Sequence, residues 1–240
     1  MKKILCKRDP EGTRRRILKA AVEEFVTGGL SGARVDRIAR LAEANERMIY
    51  YYYGCKEQLF VAVLEHTLCE FTSELESLDV SAMKPVDAIM CYANFIWQYY
   101  LKNPRLVRLV NTENLHQARY WRMARIPSMV TEPNERIASL LEAGVSSGAI
   151  RAGIDPIHLL LTISALGYYV VSNRFTLEAS LGRDMTAPQH YAGLMEFNTR
   201  MLMHYLLPQG TPLPDVLPDL QQTSLGAKLP DADADRPTGG

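Results

Sequence analysis

Three consecutive residues, Asn45, Glu46 and Arg47, carry side chains that can read the edges of DNA bases. An arginine guanidinium can bond guanine through two atoms, and a glutamate carboxylate can accept a hydrogen bond from cytosine. Asn45 is also a good N-cap, because its side-chain oxygen can accept a backbone N–H of a helix that begins at Glu46. We therefore expect Arg47 to read a base, whereas Glu46 either reads cytosine or points to solvent.

The residues on both sides of Asn45 predict the two helices that would position it. Upstream, small apolar residues share one helical face at i, i+3, i+4 and i+7: Val35, Ile38, Ala39 and Ala42. A turn of about four residues separates this helix from the next, which is the helix-turn-helix spacing. The second helix reaches Gly54 after about two turns, so one face can lie in a major groove. On the other face, Met48, Ile49 and one or two tyrosines are expected to pack against the protein.

This segment resembles the N-terminal domain of the TetR/AcrR family of bacterial transcriptional regulators. The family has a V-x-x-I-A core, a recognition helix that ends in an aromatic run, and a G-S-K-E-x-L start to the next helix. These elements correspond here to residues 35–39, 50–53 and 54–59. An upstream helix over residues 13–27, stopped by the glycine pair 28–29, also fits the family.

The resemblance implies an all-α fold, in which an N-terminal three-helix helix-turn-helix domain precedes a larger helical domain. We accordingly divide the chain into a DNA-binding domain at residues 9–55, an effector-binding and dimerisation domain at residues 56–207, and a disordered tail at residues 208–240. The tail is rich in proline and aspartate, a composition that cannot bury enough surface to order itself.

Three positions depart from the family pattern. Glu43 stands where a turn glycine is common, and we expect it to hold a less favourable backbone angle. Ala33 and Arg34 replace a pair of threonines, so a guanidinium would take the place of a phosphate-contacting hydroxyl. Cys55 stands where a serine usually caps the next helix, and a thiol is a weaker cap. None of these departures removes the prediction of DNA binding.

The predicted DNA contacts combine the base-reading residues with side chains that we assign to phosphates, although one of the tyrosines is expected to belong to the core. The phosphate contacts are Arg34, Tyr50, Tyr51 and Lys56, and they join Asn45, Glu46 and Arg47 in one set. Residues 1–60 carry 13 Lys or Arg against 8 Asp or Glu, whereas the remainder carries 14 against 19. A basic head on an acidic body suits phosphate contact, although charge runs alone could form only a solvated helix face.

Beyond residue 56 the apolar residues recur at helical spacing, without the alternation that marks strands. The predicted helices cover about residues 56–78, 85–103, 104–116, 131–147, 156–173 and 188–207. The helix over residues 156–173 is apolar nearly all round, so we expect it to be buried on more than one side. By the resemblance, the last two helices pair with those of a second copy in a homodimer. Otherwise they complete the core of a monomer.

Three stretches of the body, residues 155–156, 163–168 and 172–176, resemble the branch of the family that includes the pyrimidine-utilisation regulator. In the family this domain encloses a cavity for a small effector, and aromatic walls with a few amides suit a planar or amphipathic ligand. The candidate lining residues, each of which could instead fill the core, are Met90, Asn94, Trp97, Gln98, Asn111, Trp121, Tyr168 and Asn173. Asn173 and Arg174 could instead stabilise the dimer.

Other classes of function find little support. Glu113 and His116 could be considered an acid–base pair, but a glutamate and a histidine three residues apart on a helix commonly make only a surface contact. The glycine pair 28–29 follows a helix rather than a strand, so it lacks the context of a phosphate-binding loop. No catalytic residue, cofactor or metal site is predicted, while redox sensing by one of the four cysteines stays open.

We therefore predict a homodimeric, ligand-responsive repressor that leaves a palindromic operator in double-stranded DNA when a small effector of unidentified structure binds. The alternative is a DNA-bound adaptor that docks a protein instead of sensing a metabolite. Residues 1–7 lack the apolar core of about 7–15 residues that a signal peptide requires. No stretch reaches the roughly 18 apolar residues of a bilayer span. We expect a cytoplasmic protein that does not contact the membrane.

Overall fold

The computed structural model describes residues 9–125 and 128–213, and within these ranges it contains helices and no strand. The predicted tail therefore lies outside the described residues from residue 214 onward. The helices are α1 (Pro10–Gly32), α2 (Val35–Leu41), α3 (Glu46–Tyr53), α4 (Lys56–Glu76), α5 (Pro85–Lys102), α6 (Pro104–Leu115), α7 (Ser128–Ser146), α8 (Pro156–Ser172), α9 (Arg174–Leu181) and α10 (Pro188–Leu206). The all-α prediction is confirmed. The short helix α9 was not predicted.

The described residues form two compact units. The first contains the described residues up to Phe71 and those between Arg105 and Met129, and the second contains those from Thr72 to Pro104 and from Val130 onward. Our division into residues 9–55 and 56–207 stays a prediction about domains. The compact units cut the chain differently, because most of α4 and nearly all of α6 lie with the first three helices.

Helix α1 begins at a capping residue followed by a proline, and its regular geometry ends at a glycine. The Asp9 carboxylate accepts a hydrogen bond from the Gly12 N–H at 2.9 Å, and Pro10 occupies the first turn, where a missing N–H does no harm. The helical geometry breaks at Gly29, whose φ of 60° and ψ of −173° suit only a residue without a Cβ. The predicted stop at the glycine pair is thus confirmed, although the helix begins three residues earlier than we expected.

Helix α1 also holds both ends of α2. The buried carboxylate of Glu24 accepts the Arg34 N–H at 2.9 Å, at the start of α2. The Arg16 Nε donates to the carbonyl of Ala42 at 3.2 Å, at its other end. The ends of a helix expose unpaired N–H and C=O groups, and these two side chains satisfy one of each. An acid at the N-terminus and a base at the C-terminus also complement the helix dipole. Helix α2 is therefore fixed on α1 by polar contacts as well as by its apolar face.

Aromatic rings connect α1, α4 and the segment after α6 within the first unit. The rings of Phe25 and Phe60 meet edge to face with centroids 5.1 Å apart, and Phe60 meets Tyr120 in the same way at 5.5 Å. Edge-to-face pairs at this spacing are favourable beyond their buried area. An ion pair between Glu23 of α1 and Arg105 of α6, 3.0 Å apart, adds a polar contact.

In the second unit, Trp97 joins three helices. Its indole N–H donates to the carbonyl of Ile163 on α8 at 2.8 Å, and its own carbonyl accepts the Tyr191 hydroxyl from α10 at 2.7 Å. Gly167 allows the close approach, because a Cβ at this position would lie 2.6 Å from Trp97 Cδ1. The core of the second unit is thus organised around one fully buried indole.

Helix α8 begins as the sequence predicts, with Asp155 accepting the N–H groups of Ile157 and His158 and with Pro156 in its first turn. Within a single chain α8 buries one face, formed by Leu159, Ile163, Gly167, Val170 and Val171. The opposite face exposes Ile157, Leu161 and Tyr169 to solvent. No described element of the single chain covers that face, so the burial of α8 on more than one side stays a prediction that depends on a second copy of the chain. No helix in the described ranges is both long and apolar enough for a bilayer.

Candidate nucleic-acid interface

The second helix of the helix-turn-helix is capped as predicted. Asn45 has extended backbone angles, and its side-chain oxygen accepts the Met48 N–H at 3.0 Å. The cap leaves Asn45, Glu46 and Arg47 exposed at the start of α3. Three polar side chains therefore stand together where a recognition helix presents its first residues to a groove.

The tyrosines of α3 divide between the core and the surface. Tyr53 is the core tyrosine, because it is buried with Ile49 and its hydroxyl donates to the carbonyl of Arg14 at 3.1 Å. Burial raises the pKa of Tyr53 above its ordinary value. Tyr51 is 83% exposed and Tyr50 is 46% exposed. Both remain accessible for the phosphate contacts that the sequence assigns to them.

Arg34 is paired in a way that the sequence did not reveal. Its Nε and Nη2 each donate to one carboxylate oxygen of Asp36 at 3.0 Å. This hydrogen bond lowers the pKa of Asp36 and raises that of Arg34. The only signal in the sequence is an arginine two residues before an aspartate at a helix start, which is too common to single out.

The turn between α2 and α3 carries the backbone angle expected of a replaced glycine. Glu43 has a φ of 50°, in the left-handed region that non-glycine residues seldom occupy. The neighbouring Ala44 N–H donates to the carbonyl of Ala39 at 2.9 Å and closes the turn. The departure at Glu43 therefore alters the local strain and keeps the helix-turn-helix geometry.

Helix α4 starts at Lys56, the remaining predicted phosphate contact, whose side chain is half-buried. The adjacent Cys55 is also half-buried, and its thiol hydrogen-bonds to Glu57. The pKa of Glu57 is lowered first by its own backbone N–H and then by this thiol. All seven predicted DNA contacts thus lie in the first compact unit, at the starts of α2, α3 and α4 and along α3.

The candidate effector residues fall in both units. In the second unit Met90 and Trp97 are fully buried, whereas Asn94, Gln98, Tyr168 and Asn173 are half-buried. In the first unit Asn111 and Trp121 are half-buried. Trp97 serves the core contacts described above, and the side-chain amide of Asn173 donates to the carbonyl of Tyr169 at 2.9 Å. The structure therefore gives these two residues structural contacts.

One polar cluster of the second unit was missed. Tyr100 of α5 hydrogen-bonds to Ser164 of α8, and its ring meets that of Tyr168 edge to face at 6.0 Å. Burial raises the pKa of Tyr100 to about 12. The contact joins residues more than sixty positions apart, so no local pattern could have indicated it.

Glu113 and His116 do not make the surface contact that we considered. Glu113 is buried, and its carboxylate accepts the N–H groups of Tyr120 at 2.8 Å and Trp121 at 3.1 Å. It closes the turn after α6, where Gln117 and Ala118 hold positive φ angles. The arrangement is structural. Across the described part of the chain, no three His, Cys, Asp or Glu residues are placed to hold a metal ion.

A capped recognition helix with exposed Asn45, Glu46 and Arg47, fixed on a three-helix core, defines a helix-turn-helix DNA-binding protein. Residues 17–63 match the family described as bacterial regulatory proteins of the tetR family. Residues 85–202 match the tetracyclin repressor-like C-terminal domain. The two matches together cover more than half of the sequence, and the chain belongs to the TetR family of transcriptional regulators. It is a regulator and not an enzyme.

Known relatives agree with this assignment. The chain is 38% identical over 186 residues to the HTH-type transcriptional repressor NicS of Pseudomonas putida, covering 77% of this chain and 88% of the relative. It is 26% identical over 199 residues to the HTH-type transcriptional regulator RutR of Escherichia coli K12, covering 80% and 90%. The fold matches that of the putative transcriptional regulator SCO4942 from Streptomyces coelicolor, with a TM-score of 0.63, 24% identity, and coverage of 81% and 98%. The resemblance to the RutR branch is confirmed as a distant relationship.

Proposed function

We propose that this protein is a homodimeric repressor that binds a palindromic operator and leaves it when a small effector binds. The observation that carries the proposal is the exposed start of α3, where Asn45, Glu46 and Arg47 stand on a fixed three-helix core. Relatives named as repressors support repression rather than activation. Because the proposed target is DNA, we propose that the protein acts in the cytoplasm.

In this proposal the DNA-binding domain, here called the reading head, makes two kinds of contact. Arg47 bonds a guanine through two atoms, with Asn45 and Glu46 beside it. Tyr50, Tyr51, Lys56 and Arg34 contact phosphates, which fix the register of the head on the duplex without reading sequence. The exposure of the two tyrosines and of Arg47 supports this division of roles.

Dimerisation supplies the second head. Large apolar side chains are exposed on α8 and α10, including Leu161 at 61% and Phe197 at 63%. Exposed apolar surface of this kind marks an interaction site, and a twofold dimer places the two α3 helices about 34–36 Å apart, in successive major grooves. We therefore assign the exposed faces of α8 and α10 to the dimer interface.

The effector acts on the equilibrium between two arrangements of the heads. We propose that binding favours a conformer in which α4 swings and the heads no longer match the operator spacing. To turn a ratio of about 1:99 into 99:1, the effector must prefer that conformer by about 5.5 kcal/mol. The candidate lining residues named above remain proposals, and Tyr100 joins them because its hydroxyl lies in a polar cluster with Ser164.

A fluorescence-anisotropy titration tests the proposal. The purified protein is titrated against the DNA that flanks its own gene, with a scrambled duplex as control, at two salt concentrations. We expect saturable binding that prefers the native duplex and weakens steeply with salt, because phosphate contacts release counterions. An absence of preference, repeated in an unbiased selection from random duplexes, contradicts the proposal.

Two substitutions separate the two kinds of contact. Arg47→Ala should lose discrimination at one base position by about 1–3 kcal/mol, because the lost contact reads a base. Lys56→Ala should weaken all sequences alike and reduce the salt slope by about one, because the lost contact is with a phosphate. Binding isotherms of both variants against single-base operator variants decide the assignment. If neither substitution changes binding, α3 and the start of α4 are not the DNA surface.

A further inference from the structure

The ion pair between Arg34 and Asp36 lies among the proposed DNA contacts and was not part of that proposal. Both side chains are well exposed, at 63% and 50% of their surface. The carboxylate takes the Nε and Nη2 donors of the guanidinium, each at 3.0 Å. An arginine presents donors on more than one edge of a rigid plane, so this contact leaves those on Nη1. The guanidinium can hold a carboxylate and a phosphate oxygen at the same time.

The main chain of Arg34 is fixed independently of this pair. Its N–H donates to the carboxylate of Glu24 at 2.9 Å, and Glu24 is buried. A bidentate contact with Asp36 then restricts the flexible side chain as well. The contact with Asp36 therefore favours one orientation of the guanidinium before any DNA binds.

The same contact cancels charge. The Asp36 carboxylate is ionised at neutral pH, because the ordinary pKa of an aspartate is about 4, and the hydrogen bond from Arg34 lowers that pKa further. The pair then carries no net charge, whereas Arg34 alone would carry one positive charge. Attraction to DNA of any sequence follows the number of phosphates that a protein neutralises. Asp36 thus reduces the contribution of Arg34 to this attraction.

We propose that Asp36 is a specificity-determining residue, which orients the Arg34 guanidinium for one operator phosphate and reduces the attraction of the head for unrelated DNA. The inference rests on the proposed contact between Arg34 and a phosphate. On the operator, where base contacts fix the register, orientation offsets the lost charge. On unrelated DNA the register is not fixed, so only the lost charge matters. Specificity is the difference between the two affinities, and Asp36 increases it.

The test compares Asp36→Asn with the wild-type full-length protein by fluorescence anisotropy. The probes are an unrelated duplex and a duplex that the wild-type protein selects from a random pool. Each neutralised phosphate adds about 0.9 to the salt slope. For the unrelated duplex, the loss of affinity between about 50 and about 200 mM salt should therefore be about 3.5-fold larger for Asp36→Asn than for the wild-type protein. Affinity for the unrelated duplex should rise at low salt, and the preference for the selected duplex should fall.

Glu23→Gln is the matched control. Glu23 is half-buried in the same compact unit, its carboxylate pairs with Arg105 at 3.0 Å, and the loss of this carboxylate changes the net charge by the same amount. We expect a smaller change in salt slope for Glu23→Gln. A second control places Asp36→Asn in an Arg34→Ala background, where it should leave the slope unchanged, because no guanidinium is released.

Three outcomes overturn the inference while the proposed function stands. They are an unchanged slope for Asp36→Asn, an equal change for Glu23→Gln, and a full change in the Arg34→Ala background. Each requires that the wild-type protein binds its selected duplex with a steep salt dependence. A wild-type protein that shows no such binding contradicts the proposed function itself, and the inference with it.

Discussion

Glu43 holds a left-handed backbone conformation, with a φ of 50°, at the turn on which the position of α3 depends. An L-residue in this region pays about 1–2 kcal/mol in steric strain, whereas glycine does not. Its side chain is exposed and makes no contact that would offset the strain among those seen in the described residues. The strain at Glu43 therefore comes from its backbone conformation, and no contact of its side chain compensates for it.

Glu43→Gly should stabilise the protein. Relief of the strain exceeds the extra backbone entropy that glycine loses on folding, so we expect the free energy of unfolding to rise by about 0.5–1 kcal/mol. Urea denaturation followed by circular dichroism measures it. Arg40→Gly is the control, because Arg40 is exposed and helical, and there glycine should lower stability by about 1 kcal/mol. Equal effects of the two substitutions would show that Glu43 is not strained.

Local chemistry determined which single residues could be predicted from the sequence. The cap at Asn45 and the angle at Glu43 depend on a few neighbouring residues, and both predictions are confirmed. The pairing of Arg34 with Asp36 depends on side-chain rotamers at an exposed helix start, which sequence does not specify. The buried state of Glu113 depends on a turn that follows its own helix, so its sequence neighbours gave the wrong impression.

At the scale of elements, helix boundaries were predicted well where proline or a capping residue marks them. Pro85, Pro104, Pro156 and Pro188 each begin a helix. Helix α9 was missed because it is only eight residues long and because no proline or glycine separates it from α8. The composition of α8 shows that the helix is apolar nearly all round, but it does not show which neighbour covers each side.

The packing of α5 on α8 depends on the absence of a side chain at Gly167. A Cβ there would lie 2.6 Å from Trp97 Cδ1 and 3.2 Å from its Cα, so both helices would have to move. We expect Gly167→Ala to lower the free energy of unfolding by about 1–3 kcal/mol, as overpacking of a core does. Urea denaturation at fixed protein concentration measures the change.

Gly32→Ala is the control for this prediction. A Cβ at Gly32 meets nothing within 4 Å, so alanine there should be neutral or should stabilise by up to about 1 kcal/mol. A Gly167→Ala variant as stable as the Gly32→Ala variant would mean that the indole of Trp97 can shift without loss.

For the whole molecule, the exposed apolar faces of α8 and α10 make oligomeric state the quantity to measure. Phe197→Glu introduces a charge at a side chain that is 63% exposed in the single chain. Because a buried unpaired charge is strongly unfavourable, the variant should sediment as a monomer and lose affinity for a palindromic duplex. Analytical ultracentrifugation at several concentrations measures the change.

Leu115→Glu is the matched control, since Leu115 is 85% exposed and belongs to the first compact unit, whereas α8 and α10 belong to the second. The Leu115→Glu variant should remain a dimer. Dissociation of the Leu115→Glu variant, or a dimeric Phe197→Glu variant, would contradict the assignment of the interface.

The division of the chain into compact units could not be predicted from the sequence. It depends on contacts such as that between Phe60 and Tyr120, which lie sixty positions apart and in segments that we assigned to the body. Periodicity identifies a helix and its apolar face, and the resemblance gave the order of helices. Neither indicates that the segment after α6 packs with the reading head.

The aromatic contacts of the first unit limit how such regulators can be recombined. A single crossover after residue 55 would separate Phe25 from Phe60 and Glu23 from Arg105, and the new body would have to supply matching side chains. An exchange that preserves these contacts must also transfer residues 56–71 and 105–125, and so needs more than one crossover. In this chain, the parts that must be exchanged together therefore do not follow the linear order of the helices.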